Sequence, residues 1–258
     1  MNTKILRFIS WITLATFLPV NVLFAAPAGQ ITQSSGYVAV SSPTSAPKSA
    51  SSGQAVESGE TVTLGDNARA VIKFQDGQII ALQPKSTFKV NSYKYDQAAP
   101  EKGESFFSLL QGGLRAVTGL IGSSNKAGWK LATPTATIGI RGTDFMAVID
   151  QATYLKVDVG SISATNSAGT AVFTAGETAA VASGTTLGTV VPASAVPAGT
   201  FSELGAINLG AAGGSAAGAG AAGGTILGVP TAVVIGVGIA GAAAAAASSG
   251  GDDTTTHH

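Results

Sequence analysis

The chain has 258 residues, 14 basic and 14 acidic side chains, 34 glycines and no cysteine. A formal net charge of zero removes the long-range field that draws in nucleic acid or anionic lipid. The lack of cysteine excludes disulfides, thiolate catalysis and Cys-ligated metals together.

The N-terminus reads as an address. Lys4 and Arg7 precede the apolar run Phe8 to Leu18, Pro19 breaks it, and Ala26-Pro27-Ala28 places small residues at the spacing a signal peptidase needs. Residues 1–28 are therefore expected to be a signal peptide cleaved after Ala28, because cutting after Ala26 would put Pro27 just past the scissile bond. An uncleaved anchor is the alternative, disfavoured because the run is shorter than the ~20 residues of a membrane span.

Residues 29–182 predict an all-β domain. Short alternating runs such as "TVTL", "ARAVIKF", "STFKV" and "TYLKVDV" are separated by Gly, Asp, Asn, Pro and Ser, the pattern of many short strands in a sandwich, barrel or solenoid. In "STFKVNSYKYD", strand alternation places Lys89, Asn91, Tyr93 and Tyr95 on one face and Phe88 and Val90 on the other. "ESFFSLLQGGLRAVTGLIG" also fits helical spacing, but Gly112 and Gly113 would cost such a helix roughly 1 kcal/mol each. Two strands joined by a Gly-rich turn are expected there.

Beyond residue 182 the composition shifts to Ala, Gly, Ser and Thr, and no Lys or Arg follows Lys156. Residues 183–224 read as a Gly/Ala-rich linker, 225–247 as a weakly hydrophobic small-residue segment, and 248–258 as a polar tail. Ile226 to Ala247 is uncharged and just long enough to span a bilayer. Its eight strongly apolar residues supply only about 0.3 to 0.6 kcal/mol each, with Pro230 and several glycines against them. Membrane attachment, helix packing or self-association through this segment stands beside a soluble or secreted tail.

Chemistry-bearing patterns are few. The two histidines, His257 and His258, end the chain, so the β-domain has none for a Ser-His-Asp triad or a histidine metal site. "STFK" and "SSNK" match Ser-x-x-Lys without the partner motifs of penicillin-recognising enzymes. "GVGIAG" has dinucleotide-fingerprint spacing in the wrong context. Glu57/Glu60 and Glu101/Glu104 could serve a carboxylate-based hydrolase, but solvated turns suit them better. The reading therefore assigns no catalytic, cofactor-binding or metal-binding residue.

One strand raises a sharper question. "TPTATIGIRGTDFMAVI" (133–149) is almost wholly apolar and β-branched, yet carries Arg141 and Asp144 around Gly142 and Thr143. A bulge at Gly142 would shift the register by one and could bring the two charges together. Such a pair, with Arg141 bidentate to a carboxylate, would fix strand register; a ligand-contacting ion pair is the functional alternative.

This stretch, with "GDNARAVIKFQDGQIIALQPKSTFKVNSYKYD" and "LLQGGLRAVTGLIGSSNKAGWKLA" before it and "VDVGSISATNSAGTAVFTAGE" after it, resembles the FecR domain family. "TPTATIGIRGTDF" carries the resemblance most specifically, through Thr133, Pro134, Gly139, Arg141, Gly142, Thr143, Asp144 and Phe145. The resemblance implies a β-rich periplasmic domain, sandwich- or solenoid-like. The family's best-known members are anti-sigma regulators that relay the occupancy of an outer-membrane siderophore transporter. Those members place a cytoplasmic anti-sigma segment before a transmembrane helix, whereas the apolar run here begins at Phe8 and no such segment is expected. A non-enzymatic sensory or binding module of the cell envelope is thus expected, with another envelope protein as partner, no cofactor and no nucleic acid. A structural or assembly component presented through the C-terminal segment is the second reading, and a hydrolase a distant third.

Overall fold

The computed structural model describes residues 27–207 and Leu209. In chain order the strands are β1 Gly29–Ser35, β2 Val38–Ser42, β3 Ser45–Ser49, β4 Ala55–Val56, β5 Thr61–Leu64, β6 Arg69–Phe74, β7 Ile79–Leu82 and β8 Thr87–Lys94. There follow β9 Glu104–Val117, β10 Trp129–Ala132, β11 Thr137–Ile149, β12 Thr153–Asn166, β13 Gly169–Thr174, β14 Thr178–Val181 and β15 Thr189–Val190. The helices are short, α1 Leu120–Ser124 and α2 Ser202–Gly205, with 3-10 turns at Pro100–Lys102, Lys126–Gly128 and Ala193–Ala195. The all-β expectation holds.

All the strands belong to one open sheet. Its main path runs β15-β14-β12-β11-β10-β9-β7-β6-β1-β4, and a branch from β9 runs through β8, β5, β2 and β3, while β13 pairs with β12. Every pairing is antiparallel except β9 with β10. The segment expected as two strands with a turn is one 14-residue strand, β9. Its first half pairs with β8 and β10 and its second with β7 and β11, so the Gly112-Gly113 pair marks a change of partners and not a reversal of the chain.

The same device recurs in β11 and β12. In β11, Ile138 and Ile140 point inward before Gly142, and Thr143, Phe145 and Ala147 point inward after it. The parity flips because a bulge interrupts the β11–β12 register between Arg141 and Asp144. Gly142 has φ +65° and Gly160 opposite it φ +76°, and a Cβ on Gly160 would collide with the Gly142 carbonyl. At both positions only glycine fits without strain.

The inward side chains of nearly all strands meet in one core, from Ile31 and Val62 to Phe173 and Val181. An aromatic row crosses it: Phe74 to Phe107 at 5.1 Å between ring centres, Phe107 to Trp129 at 6.0 Å, and Trp129 to Phe145 at 5.9 Å. The edge-on approach of the last two pairs suits the aromatic quadrupoles.

The packed structure does not stop at residue 182. Residues 183–207 add β15 and α2, and Leu204 is fully buried against Met146 and Val148 on the outer face of β11. Ile207 and Leu209 extend that cover over Val71, Ile79 and Ala81. At the other end, Ala28 is buried and its carbonyl accepts a hydrogen bond from the Gln75 amide at 3.2 Å. Among the described residues no helix is long and apolar enough to cross a membrane. Residues 1–26, the 225–247 segment, the polar tail and the terminal histidines lie outside the described residues.

Candidate functional site

The charged residues of the 133–149 stretch separate into two roles. Asp144 is held by Arg115, whose Nε and Nη2 donate to its two carboxylate oxygens at 2.8 and 2.7 Å. The expected Arg141–Asp144 pair is thus corrected. The bulge is present, but on the β9 side Asp144 lies opposite Val117 and Met146 opposite Arg115, so Arg115 reaches Asp144 from the adjacent diagonal position. Arg141, across the bulge, faces Ser161 of β12. The Asp144 hydrogen bonds raise the Arg115 pKa further and fix the guanidinium as a cation.

The other residues of the stretch are placed as follows. Thr133 closes the turn into β11, its hydroxyl accepting from the Ala136 amide at 3.1 Å and donating to the Ala136 carbonyl at 2.8 Å, with Pro134 exposed between them. Thr143 is buried, and its amide donates to the Thr118 hydroxyl at 2.8 Å while its carbonyl accepts from that hydroxyl at 2.9 Å. Phe145 is in the core. Thr133, Thr143, Asp144 and Phe145 therefore serve the fold, together with Gly142. Arg141 is exposed and has no ion pair among the described residues.

A second polar cluster, absent from the sequence reading, is interior. Asp76 is 2% exposed. Its carboxylate accepts from the Gln78 and Ile121 amides, both at 3.2 Å, and from the Tyr93 hydroxyl at 3.1 Å. It ties the β6–β7 turn to the start of α1. Burial pushes the Asp76 carboxyl above its ordinary range, against the three hydrogen bonds, which pull it down. Burial, and then the Asp76 charge, raise the Tyr93 phenol. The expected placing of Tyr93 on the face opposite Phe88 and Val90 is corrected here: a register shift between Val90 and Ser92 turns its ring toward Phe74, at 5.3 Å. Beside this cluster Trp129 Nε1 donates to Gln78 Oε1.

Arg141 opens instead onto a groove across the outer face of β10, β11 and β12. Two hollows of about 760 and about 410 Å³ share Lys130, Thr137 and Thr165. Lys102 lines the first, and Lys126 and Arg141 line the second. None of these four cations has a carboxylate within salt-bridge distance among the described residues. The acid on the groove wall, Glu104, is engaged by Lys94 at 3.4 Å. Gly139 forms part of the floor, with Ser163 its cross-strand partner.

Lys126 and Lys130 gave no signal in the sequence, because "SSNKAGWK" carries no recognisable spacing. Only the register of β10 beside β11 brings Lys130 into the hollow that Arg141 lines. Of the carboxylates weighed for hydrolysis, Glu60 accepts from the Glu57 amide at 2.8 Å, closing a turn, and Glu104 is engaged by Lys94. No group of three or more metal-ligating side chains occurs among the described residues.

An open, curled sheet whose internal turns are locked by paired side chains, with a cationic groove on its outer face, defines a β-scaffold domain. Residues 60–163, from the start of β5 to near the end of β12, match the family model described as FecR protein. Over this region the chain is similar to the FecR family. Two crystal structures of a candidate anti-sigma factor from Parabacteroides distasonis ATCC 8503, at 1.65 and 2.50 Å resolution, are similar at 12% identity, with TM-scores of 0.40 and 0.39. Each likeness covers 51% of this chain and 57% of the other, so the chain spans little more than half the length of those structures. No curated protein matches the chain.

Proposed function

We propose that this protein is an exported, non-enzymatic binding module of the cell envelope, and that it recognises an anionic partner through the groove between Lys102 and Arg141. The observation that carries this reading is the segregation of charge within 133–149. Asp144 is consumed by Arg115, whereas Arg141 stands exposed beside Lys126 and Lys130, none of the three in an ion pair among the described residues. Unpaired like charges repel one another across a shared hollow, so a fold that keeps them together is at odds with stability alone and suits a ligand that neutralises them. The interior acid, Asp76, is engaged by three donors, which supports binding over acid–base chemistry. The partner is proposed to be an envelope component and not a nucleic acid, in line with zero net charge and with the signal-like N-terminus.

Retention on isolated cell envelopes tests this. The purified domain should bind at low ionic strength and be released by salt, because exposed charges are screened within about 10 Å at 0.1 M. Lys130→Glu with Arg141→Glu should abolish retention, and Lys48→Glu with Lys73→Glu, outside the groove, should not. Equal retention of both charge-reversal variants would remove the groove from the function.

A further inference from the structure

The floor of the smaller hollow restricts the ligand that the groove can take. Gly139 lies between Thr137 and Arg141 along β11. Across the sheet it has Ser163 of β12 on one side and, by the β10–β11 register of Leu131 with Ile138, the Lys130 position on the other. A Cβ at Gly139 would come within 2.8 Å of the Ser163 hydroxyl. The missing side chain therefore leaves a depression rimmed by a guanidinium, an ammonium and two hydroxyls, with Lys126 at its edge. This donor set suits one carboxylate, sulfate or phosphate group, since a planar guanidinium binds oxyanions in bidentate fashion. The larger hollow continues from it over Thr137 and Thr165 to Phe106 and Lys102. Its lining holds hydroxyls and cations beside one half-buried aromatic ring, and its acid, Glu104, is paired with Lys94.

We infer that the groove binds an anionic polysaccharide, one acidic group of which sits over Gly139 between Lys130, Arg141 and Ser163. This rests on the proposed binding function and adds the ligand class and the seat of its charge. An acidic peptide fits less well. β10 pairs with β11 only through 131–132 and β9 takes up β11 again from Asp144, so the groove exposes only the short main-chain stretch before the bulge, less than strand addition uses. Of the large apolar side chains in the groove lining, Trp129, Ile138 and Ile140 are buried, which leaves Phe106 alone to anchor a peptide side chain. A polyhydroxylated, regularly charged chain matches the hydroxyl rows and the spaced cations.

Titration of the full domain with a defined polygalacturonate oligomer, neutral dextran and poly-glutamate, followed by calorimetry, separates the cases. Saturable binding to polygalacturonate and none to dextran is expected. Arg141→Ala should weaken it about tenfold, the equivalent of losing one charge-assisted contact. Gly139→Ala, which fills the floor while only a rotatable serine hydroxyl must give way, should weaken it at unchanged melting temperature. Poly-glutamate binding with equal sensitivity to Arg141→Ala would overturn the polysaccharide assignment and leave the binding function standing. Polygalacturonate binding indifferent to Arg141→Ala and Gly139→Ala would overturn the seat over Gly139. No binding of either polymer, with groove-dependent envelope retention intact, would overturn the ligand class alone.

Discussion

Replacing Arg115 by alanine leaves the Asp144 carboxylate without the two hydrogen bonds, of 2.8 and 2.7 Å, that hold it to β9. The pair is mostly buried, with the side chains 20% and 18% exposed. Breaking a fully buried pair costs about 3 to 5 kcal/mol, and an exposed one about 0 to 1 kcal/mol. Water can reach part of the stranded carboxylate, so a loss of about 2 kcal/mol is expected for Arg115→Ala, in line with charge-assisted hydrogen bonds of roughly 1.5 to 3 kcal/mol. For a domain of this size that lowers the melting temperature by roughly 4 to 8 °C. Asp144→Ala should fall in the same range. The double mutant should lose clearly less than the sum, because each single change already removes the shared interaction. Arg141→Ala, at an exposed site with no ion pair among the described residues, should stay within about 0.5 kcal/mol of the parent. Calorimetric melts of the four variants and the parent provide the test. Equal destabilisation by Arg141→Ala and Arg115→Ala, or additive losses at 115 and 144, would refute the assignment of Asp144 to Arg115.

Burial raises the Asp76 pKa above its unfolded value, so the folded state holds the proton more tightly than the unfolded one. The contribution of Asp76 is fully present below the ordinary carboxylate range and is lost as pH rises through its folded pKa. Asp76→Ala should flatten stability over that window and, by stranding two amides and the Tyr93 hydroxyl, destabilise the domain by about 3 kcal/mol; denaturant midpoints against pH measure both effects. Gly160→Ala should cost well over the roughly 1 to 2 kcal/mol of a left-handed conformation, since its Cβ also collides with Gly142, whereas Gly142→Ala, with open space around it, should cost about that amount alone. A chain ending at residue 182 should melt well below one ending at 209, because Leu204 no longer covers Met146 and Val148, and Leu204→Ala should give a loss of about 2 kcal/mol. The proposed export predicts a mature chain that begins at Gly29. Intact mass of the native protein decides this, and an N-terminus at or before Pro27 would show that buried Ala28 stays with the domain.

The strand content was legible because burial alternates with period two in runs such as β5 and the first half of β9. The bulge at Gly142 was legible as well, from two charges and a glycine within an apolar run. The partner of Asp144 was not. Arg115 lies 29 positions away, and nothing local distinguishes it from Arg141; only the pairing of β9 with β11 decides between them. Tyr93 was misplaced because strand alternation takes no account of the irregularity between Val90 and Ser92. The long run of β9 was hidden because a glycine pair signals a turn, and in this fold it signals a change of partner strand. The cationic groove was least legible, since it collects residues from the 3-10 turns, β10 and β11 that share no motif.

The outer face around Gly139 is proposed as the binding surface, with the interior clamps only holding it in shape. Amide chemical-shift mapping of the isotope-labelled domain during titration with the polygalacturonate oligomer addresses it directly. The largest changes are expected at Lys126, Lys130, Gly139, Arg141 and Ser163, with β1 to β4 unchanged and the effect abolished by Lys130→Glu with Arg141→Glu. Saturable shifts centred instead on the strap around Phe201 and Leu204, or undiminished in that variant, would contradict it.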